Sequence, residues 1–256
     1  MNLINGKNIL VMGVANERSI AWAIVKSLND HGQVNFILTY ENEKIKNRIL
    51  KLTKEMDNVN LFQCNVTEEI DLDNLKNYME DNYGTVHGIV HSIAFANRED
   101  LDGRYVETKK SGYDLAQHVS AYSLLAVTQR IYPLMSEGGS IVAMTYIGSQ
   151  RVVKNYNVMG IAKASLEANV RYLAKDLGEF DIRVNSISSG PIRTLSGKGI
   201  AGFNTFIKAV EDQTILGRSV DPEEVGNTAL FLISDLSKGI TGQTIYVDHG
   251  FNIVGV

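Results

Sequence analysis

The chain has 256 residues, 44% apolar and 21% charged, so it can bury a large core without disulfides or metal and is too apolar to be disordered. A formal charge of −4 gives no electrostatic footprint for nucleic acid, and the lone cysteine, Cys64, excludes an internal disulfide and fits a reducing compartment. No apolar run reaches the roughly 18 residues of a membrane helix, and Met1 to Lys7 lack the apolar segment of a secretory signal, so a cytoplasmic protein without a membrane partner is expected.

Short β-branched runs alternate with helical patterns. Asn8–Met12 reads as a buried strand and Ser19–Asn29 as a helix. Val34–Tyr40 is the second strand, followed by a charged helix from Glu43 to about Met56. Asn60–Gln63 is a short strand and Asp71–Tyr83 a helix; Gly88–Ser92 is the fourth strand. One long helix is expected from Ser111 to about Met135, then a strand over Ser140–Thr145. The helix Tyr156–Leu177 carries Leu166, Val170, Leu173, Ala174 and Leu177 at helical spacing. Arg183–Ser188 is the sixth strand and Gln243–Val247 the seventh. Between them Asp221-Pro222-Glu223-Glu224 opens a helix, with Asp as cap and Pro in the first position.

Repeated strand–helix–strand units imply a parallel sheet. The expected fold is α/β, a single doubly wound Rossmann-type domain over residues 1–256, with a seven-stranded parallel sheet and helices on both faces. No linker, charge block or internal repeat divides it. Ligands bind such sheets beyond the carboxyl ends of the strands, so the residues after each strand are the candidates.

After the first strand comes Gly13-Val14-Ala15-Asn16-Glu17-Arg18-Ser19-Ile20-Ala21. A glycine there allows a tight turn close to a ligand, and the next helix offers free N–H groups to a pyrophosphate. The turn has one glycine rather than G-x-G-x-x-G, and a plain turn capped by Ser19 explains the same residues. Glu41, after the second strand, stands where dinucleotide folds place an acid for ribose hydroxyls. It favours NADH over NADPH, although Lys44, Lys46 and Arg48 are near enough to meet a phosphate. A solvated helix face is the other reading of these four. Asn65-Val66 can contact adenine, with the Asn oxygen accepting from the amino group, or Asn65 simply forms a turn.

Tyr146 follows the fifth strand; Tyr156 opens the next helix, with Lys163 seven residues on. The two share a helix face about 10 Å apart, suited to different ends of one ligand. A phenol can donate to an oxyanion, and an ammonium can stabilise it and hold ribose hydroxyls. An amphipathic helix with a packed Tyr and a surface Lys is the structural alternative.

These segments resemble the short-chain dehydrogenase/reductase superfamily, and within it the bacterial type I enoyl-acyl-carrier-protein reductases. The resemblance rests on the Gly13–Ala21 turn and His91-Ser92-Ile93-Ala94-Phe95-Ala96. It extends to Tyr146, the Tyr156-to-Glu167 run, Ser189-Gly190-Pro191-Ile192-Arg193-Thr194-Leu195 and Val247-Asp248-His249-Gly250-Phe251. Tyr-x6-Lys is the discriminating spacing; most of the superfamily has Tyr-x3-Lys. The resemblance implies a homotetramer that reduces the trans-2 double bond of acyl thioesters on acyl carrier protein, the last step of each fatty-acid elongation cycle. It implies hydride transfer to C3, an enolate oxygen held by Tyr156, and Lys163 on the nicotinamide ribose. Gly13, Ser19, Ile20, Val66, Ser92, Ile93, Ala94, Lys163, Ile192 and Thr194 match cofactor contacts. Ala94, Phe95, Ala96, Leu101, Tyr146, Tyr156, Met159, Ile200 and Phe203 fall along the substrate, although core packing accounts for several of them. Residues 195–203 match the core of a mobile substrate-binding loop, in which Gly197, Gly199 and Gly202 permit motion.

Three departures stand out. Asn65 replaces a common Asp, Glu41 breaks the basic pattern of NADPH-preferring relatives, and Ser189 and His249 replace small residues. The five histidines have no metal-ligand spacing, so no metal is expected. Two alternatives remain. A β-ketoacyl thioester reductase of the same superfamily predicts a lysine where Gly160 stands, and a non-catalytic dinucleotide-sensing module predicts loss of Tyr156 or Lys163.

Overall fold

Seven strands pair in parallel: β1 Asn8–Met12, β2 Asn35–Tyr40, β3 Val59–Gln63, β4 Gly88–His91, β5 Gly139–Thr145, β6 Ile182–Ser189 and β7 Thr244–Val247. The structure is a computed structural model and describes residues 3–194 and 203–255. The strand order is β3-β2-β1-β4-β5-β6-β7. The chain therefore winds outward from β1 in one direction, returns to β4, and winds outward in the other. The switch point lies between β1 and β4, where Met12 pairs with His91 and the next residues are Gly13 and Ser92.

Alternation along β1 divides the core between the two faces. Ile9 and Val11 join Phe36, Leu38, Val90 and Val142 on one face, beneath α1 (Ile20–Asp30), α2 (Glu43–Leu52) and, later in the chain, the helix Pro222–Ile233. Leu10 and Met12 join Ile37, Ile89, Ile141 and Val184 on the other, beneath α3 (Glu69–Tyr83) and the helices of the second half. Asn42 caps α2, its side chain accepting from Ile45 N at 3.2 Å. These are the two buried faces that an all-parallel sheet requires.

The remaining helices are α4 (Arg98–Leu101), α5 (Lys110–Gln117), α6 (Ser123–Ile131), α7 (Asn157–Leu177), α8 (Phe203–Glu211) and α9 (Pro222–Ile233). The sequence pattern did not reveal α4 or α8. The expected Ser111–Met135 helix is also interrupted: a π-turn over His118–Tyr122 separates α5 from α6, and a 3₁₀ turn with Pro133 ends it. Two serine hydroxyls turn onto backbone there. Ser123 Oγ donates to Val119 O at 2.7 Å, and Ser120 Oγ bonds the backbone of Phe95. Such π-turns are frequent at functional sites. At α9 the expected cap forms in full: Asp221 accepts from Glu223 N, and Glu224 accepts from Asp221 N, both at 2.9 Å. Among the described residues no helix is long and apolar enough to cross a membrane.

Candidate active site

The β1–α1 turn is shaped by Gly13 and Ser19. Gly13 has φ +101°, and a Cβ there would lie 2.0 Å from Ser92 O, so only glycine lets the ends of β1 and β4 come together. Ser19 occupies the cap position of α1, but its hydroxyl does not cap the helix. It accepts from Ala15 N at 3.0 Å and Asn16 N at 3.1 Å and folds the turn back over the helix entrance. The amides at the start of α1 remain available to a phosphate. Ile20 is half-buried beside them and Val66 is buried after β3.

At the end of β2, Glu41 is exposed. Lys46 is occupied: it bonds Glu43 at 3.1 Å and lies 5.5 Å from the centre of the Tyr40 ring. Lys44 stays exposed. Asn65 takes up the turn that is the other reading of it. Its side-chain oxygen accepts from Thr67 N at 3.1 Å and Thr67 Oγ1 at 2.9 Å, which uses both lone pairs in a local turn. Only the Asn65 amide NH₂ is left for a base. Cys64 beside it is buried, and burial raises its thiol to about 12, so it is inert.

Tyr146, Tyr156 and Lys163 come together beyond β5. The Tyr146 and Tyr156 rings meet edge to face with centres 5.1 Å apart. Tyr156 is the residue before α7, flanked by Asn155 (φ 60°) and Asn157 (φ 34°), both in the left-handed region. Backbone strain of this kind collects where a side chain must be held in one place. Two glycines make room for the Tyr156 ring. A Cβ on Gly148 would lie 2.5 Å from the ring, and one on Gly160 would lie 2.8 Å from Gly148 O. The second contact explains the Tyr-x6-Lys spacing: no lysine fits four residues after Tyr156. Lys163, a turn farther, is buried and donates from Nζ to Met144 O at 2.7 Å.

Electrostatics assign protonation states. Burial, then Tyr146, then Glu167 hold the Tyr156 hydroxyl well above the ordinary tyrosine range, and burial does the same to Tyr146, so both are donors at neutral pH. Burial pulls Lys163 down to about 8, against the opposing charge of Glu167. His91 is buried on β4, its Nε2 2.8 Å from Ser123 Oγ; burial and then Lys163 lower it to about 3, which leaves it neutral. Tyr146 Oη and Ser188 Oγ are buried without a hydrogen-bond partner at the carboxyl ends of β5 and β6. With the amides of α1 and the Lys163 ammonium, these polar groups fit a dinucleotide laid across the switch point.

The other expected residues fall around this centre. Ser92 and Ile93 are half-buried after β4, Ala94 is exposed and Ala96 half-buried, and Phe95 is 50% exposed, unusual for a large aromatic. Leu101 ends α4, and Met159 is buried on α7. Ile192 is buried, with Thr194 N bonding Ile192 O at 2.7 Å. Ile200 and residues 195–202 of the expected loop lie outside the described residues, as does the side chain of Phe203, which heads α8. Among the described residues no cluster of His, Cys, Asp and Glu is placed to hold a metal. Sequence reasoning missed Ser120, whose hydroxyl takes the Phe95 N–H at 2.9 Å and lies 3.6 Å from Met159 Sδ, and it missed Glu167. A polar residue inside an otherwise apolar helical stripe is the signal that marks both.

A family model described as enoyl-(acyl carrier protein) reductase matches residues 13–252. The chain belongs to this family. The enoyl-[acyl-carrier-protein] reductase [NADH] of Bacillus cereus is 49% identical, with both chains covered in full. The corresponding enzyme of Staphylococcus aureus, named for NADPH, is also 49% identical over 99% of each chain. A crystal structure of the Bacillus cereus reductase with NADP+ and an indole naphthyridinone superposes with a TM-score of 0.97, at 49% identity over 100% of both chains. The superposition over the full length accounts for the shared fold. Family membership leaves the dinucleotide open, because relatives of equal identity are named for either one.

Proposed function

We infer that this protein is an enoyl-[acyl-carrier-protein] reductase, a single dinucleotide-binding and catalytic domain that reduces the trans-2 double bond of acyl thioesters in fatty-acid elongation. The carrying observation is two neutral tyrosine hydroxyls and a buried lysine beyond β5, beside a glycine turn at the switch point. When bound, a nicotinamide dinucleotide would supply hydride for C3 of the enoyl chain, and a proton from solvent at C2 would complete the reduction. Gly13, Ser19, Ile20, Val66, Ser92, Ile93, Ala94, Ile192 and Thr194 would hold the dinucleotide, with Lys163 on the ribose. Tyr156 donates its hydrogen bond to the thioester oxygen as negative charge gathers there. Its raised pKa suits this role: it remains a donor and gives up no proton to solvent. Tyr146 borders the acyl group and props the Tyr156 ring. Phe95, Ala96, Leu101 and Met159 would supply apolar surface for the acyl chain.

The test compares a trans-2-enoyl thioester with a β-ketoacyl thioester, following dinucleotide oxidation. Enoyl turnover alone supports the assignment. Keto turnover alone moves it to the ketoreductases, against which Gly160 argues. Tight dinucleotide binding with neither turnover identifies a sensing module.

Glu41 supports NADH, since a carboxylate there repels a 2′-phosphate and Lys46 is already paired. A higher kcat/KM with NADPH would overturn this part alone. The carrier protein is an acidic partner, and the exposed Lys208 on α8, with Lys198 of the loop, is the proposed docking charge. Reversing both charges should raise KM for the carrier-bound substrate and leave a small thioester unaffected. We place the enzyme in the cytoplasm as a homotetramer.

A further inference from the structure

Glu167 belongs to neither the cofactor nor the substrate set, yet it lies buried beside both. It sits one turn beyond Lys163 on α7 and is 5% exposed. One carboxylate oxygen accepts from Thr145 Oγ1 at 2.7 Å and from Ser149 Oγ at 2.5 Å; the other is 3.5 Å from Gln150 Nε2. Thr145 ends β5, and Ser149 and Gln150 form the turn behind Tyr146. Glu167 therefore ties the helix of Tyr156 and Lys163 to the turn of Tyr146. All three donors are neutral, and no ion pair within 4 Å joins it to Lys163, whose ammonium reaches Met144 O instead. A glutamine oxygen would satisfy the same hydroxyls, so the hydrogen bonds do not require the charge.

We propose that Glu167 is a positioning residue for enoyl reduction: its carboxylate fixes the Tyr146 turn against α7, and its negative charge acts through space to hold the Lys163 ammonium in its charged form. Burial works the other way on Lys163, and Glu167 is the group that opposes it. The other ionisable groups around the pair supply no anion to Lys163. His91 on β4 is neutral, Tyr156 and Tyr146 are neutral, and Tyr246 on β7 faces Glu167 and also feels Asp248 and Arg151.

The proposal rests on the role given to Lys163 above, and the experiment separates the two. Glu167→Gln keeps an acceptor for Thr145 and Ser149 and removes the charge. In kcat against pH with an enoyl thioester, its alkaline limb should move about one unit toward acid, an about five-fold loss at the wild-type midpoint. The melting temperature and the KM for the thioester should hold. A limb that stays at the wild-type pH overturns the electrostatic role. Thr145→Val combined with Ser149→Ala keeps the carboxyl group and removes two of its donors. It should lose about ten-fold in kcat on the plateau below the alkaline limb, and unchanged kcat overturns the tie. This double variant decides that half even if Glu167→Gln does not fold. Lys163→Met should abolish turnover; wild-type turnover there would sink the role of Lys163 itself.

Discussion

At the scale of residues, this protein stores its chemistry in side chains whose charge states are set by burial. Lys163 is the clearest case. With its ammonium held at about 8, turnover should be flat near neutrality and fall as the pH rises through that value, since the neutral amine no longer stabilises an oxyanion. A pH–rate profile checks this. His91 makes the opposite kind of statement, about stability. Its folded pKa of about 3 lies below the ordinary 6.5, so the unfolded chain binds the extra proton first. Its contribution is complete above pH 6.5 and is lost at up to about 1.4 kcal/mol per pH unit as pH falls toward 3. Denaturant melts across that window should show a shallower slope in His91→Gln than in the wild type; equal slopes would contradict the assignment.

At the scale of elements, close approaches between backbones decide what the helices can carry. Gly160 lies inside α7, where alanine ordinarily stabilises by up to about 1 kcal/mol. Here a Cβ meets Gly148 O, so Gly160→Ala should instead destabilise by about 1–3 kcal/mol and displace the Tyr156 ring, read as a lower melting temperature together with lost kcat. The π-turn between α5 and α6 has a comparable role. Ser120→Ala frees the Phe95 N–H, and KM for the enoyl substrate should rise with little change in dinucleotide affinity. Strands and long helices were legible from the sequence because β-branched runs and helical apolar spacing report burial directly. The π-turn was not, because the apolar spacing of the segment runs on through it and the contact of Ser120 with Phe95 is made across the fold. Nor was the commitment of the Asn65 oxygen to Thr67, since a turn asparagine and a base-reading asparagine look alike in sequence. Tyr156 and Lys163 were visible by spacing, whereas Glu167 was hidden because its partners lie on β5 and the following turn.

At the scale of the whole molecule, the doubly wound sheet gathers residues from six strand ends at one edge and leaves an apolar outer face on the second-half helices. Tyr122 and Leu125, in the π-turn and α6, and Ile161 and Tyr172 on α7 are exposed, Tyr172 at 76%. A face of this kind marks association, in keeping with the proposed tetramer. Sedimentation should return four times the chain mass for the wild type and a smaller species for Tyr172→Glu; a monomeric wild type would contradict the proposal. The central claim is that Tyr156 donates to the thioester oxygen during hydride uptake. It is tested most directly by single-turnover reduction of a trans-2-enoyl thioester in wild type and Tyr156→Phe, with dinucleotide affinity measured on the same samples. The account predicts a chemical step slowed by about two orders of magnitude or more at unchanged dinucleotide affinity. An undiminished chemical step in Tyr156→Phe would contradict it.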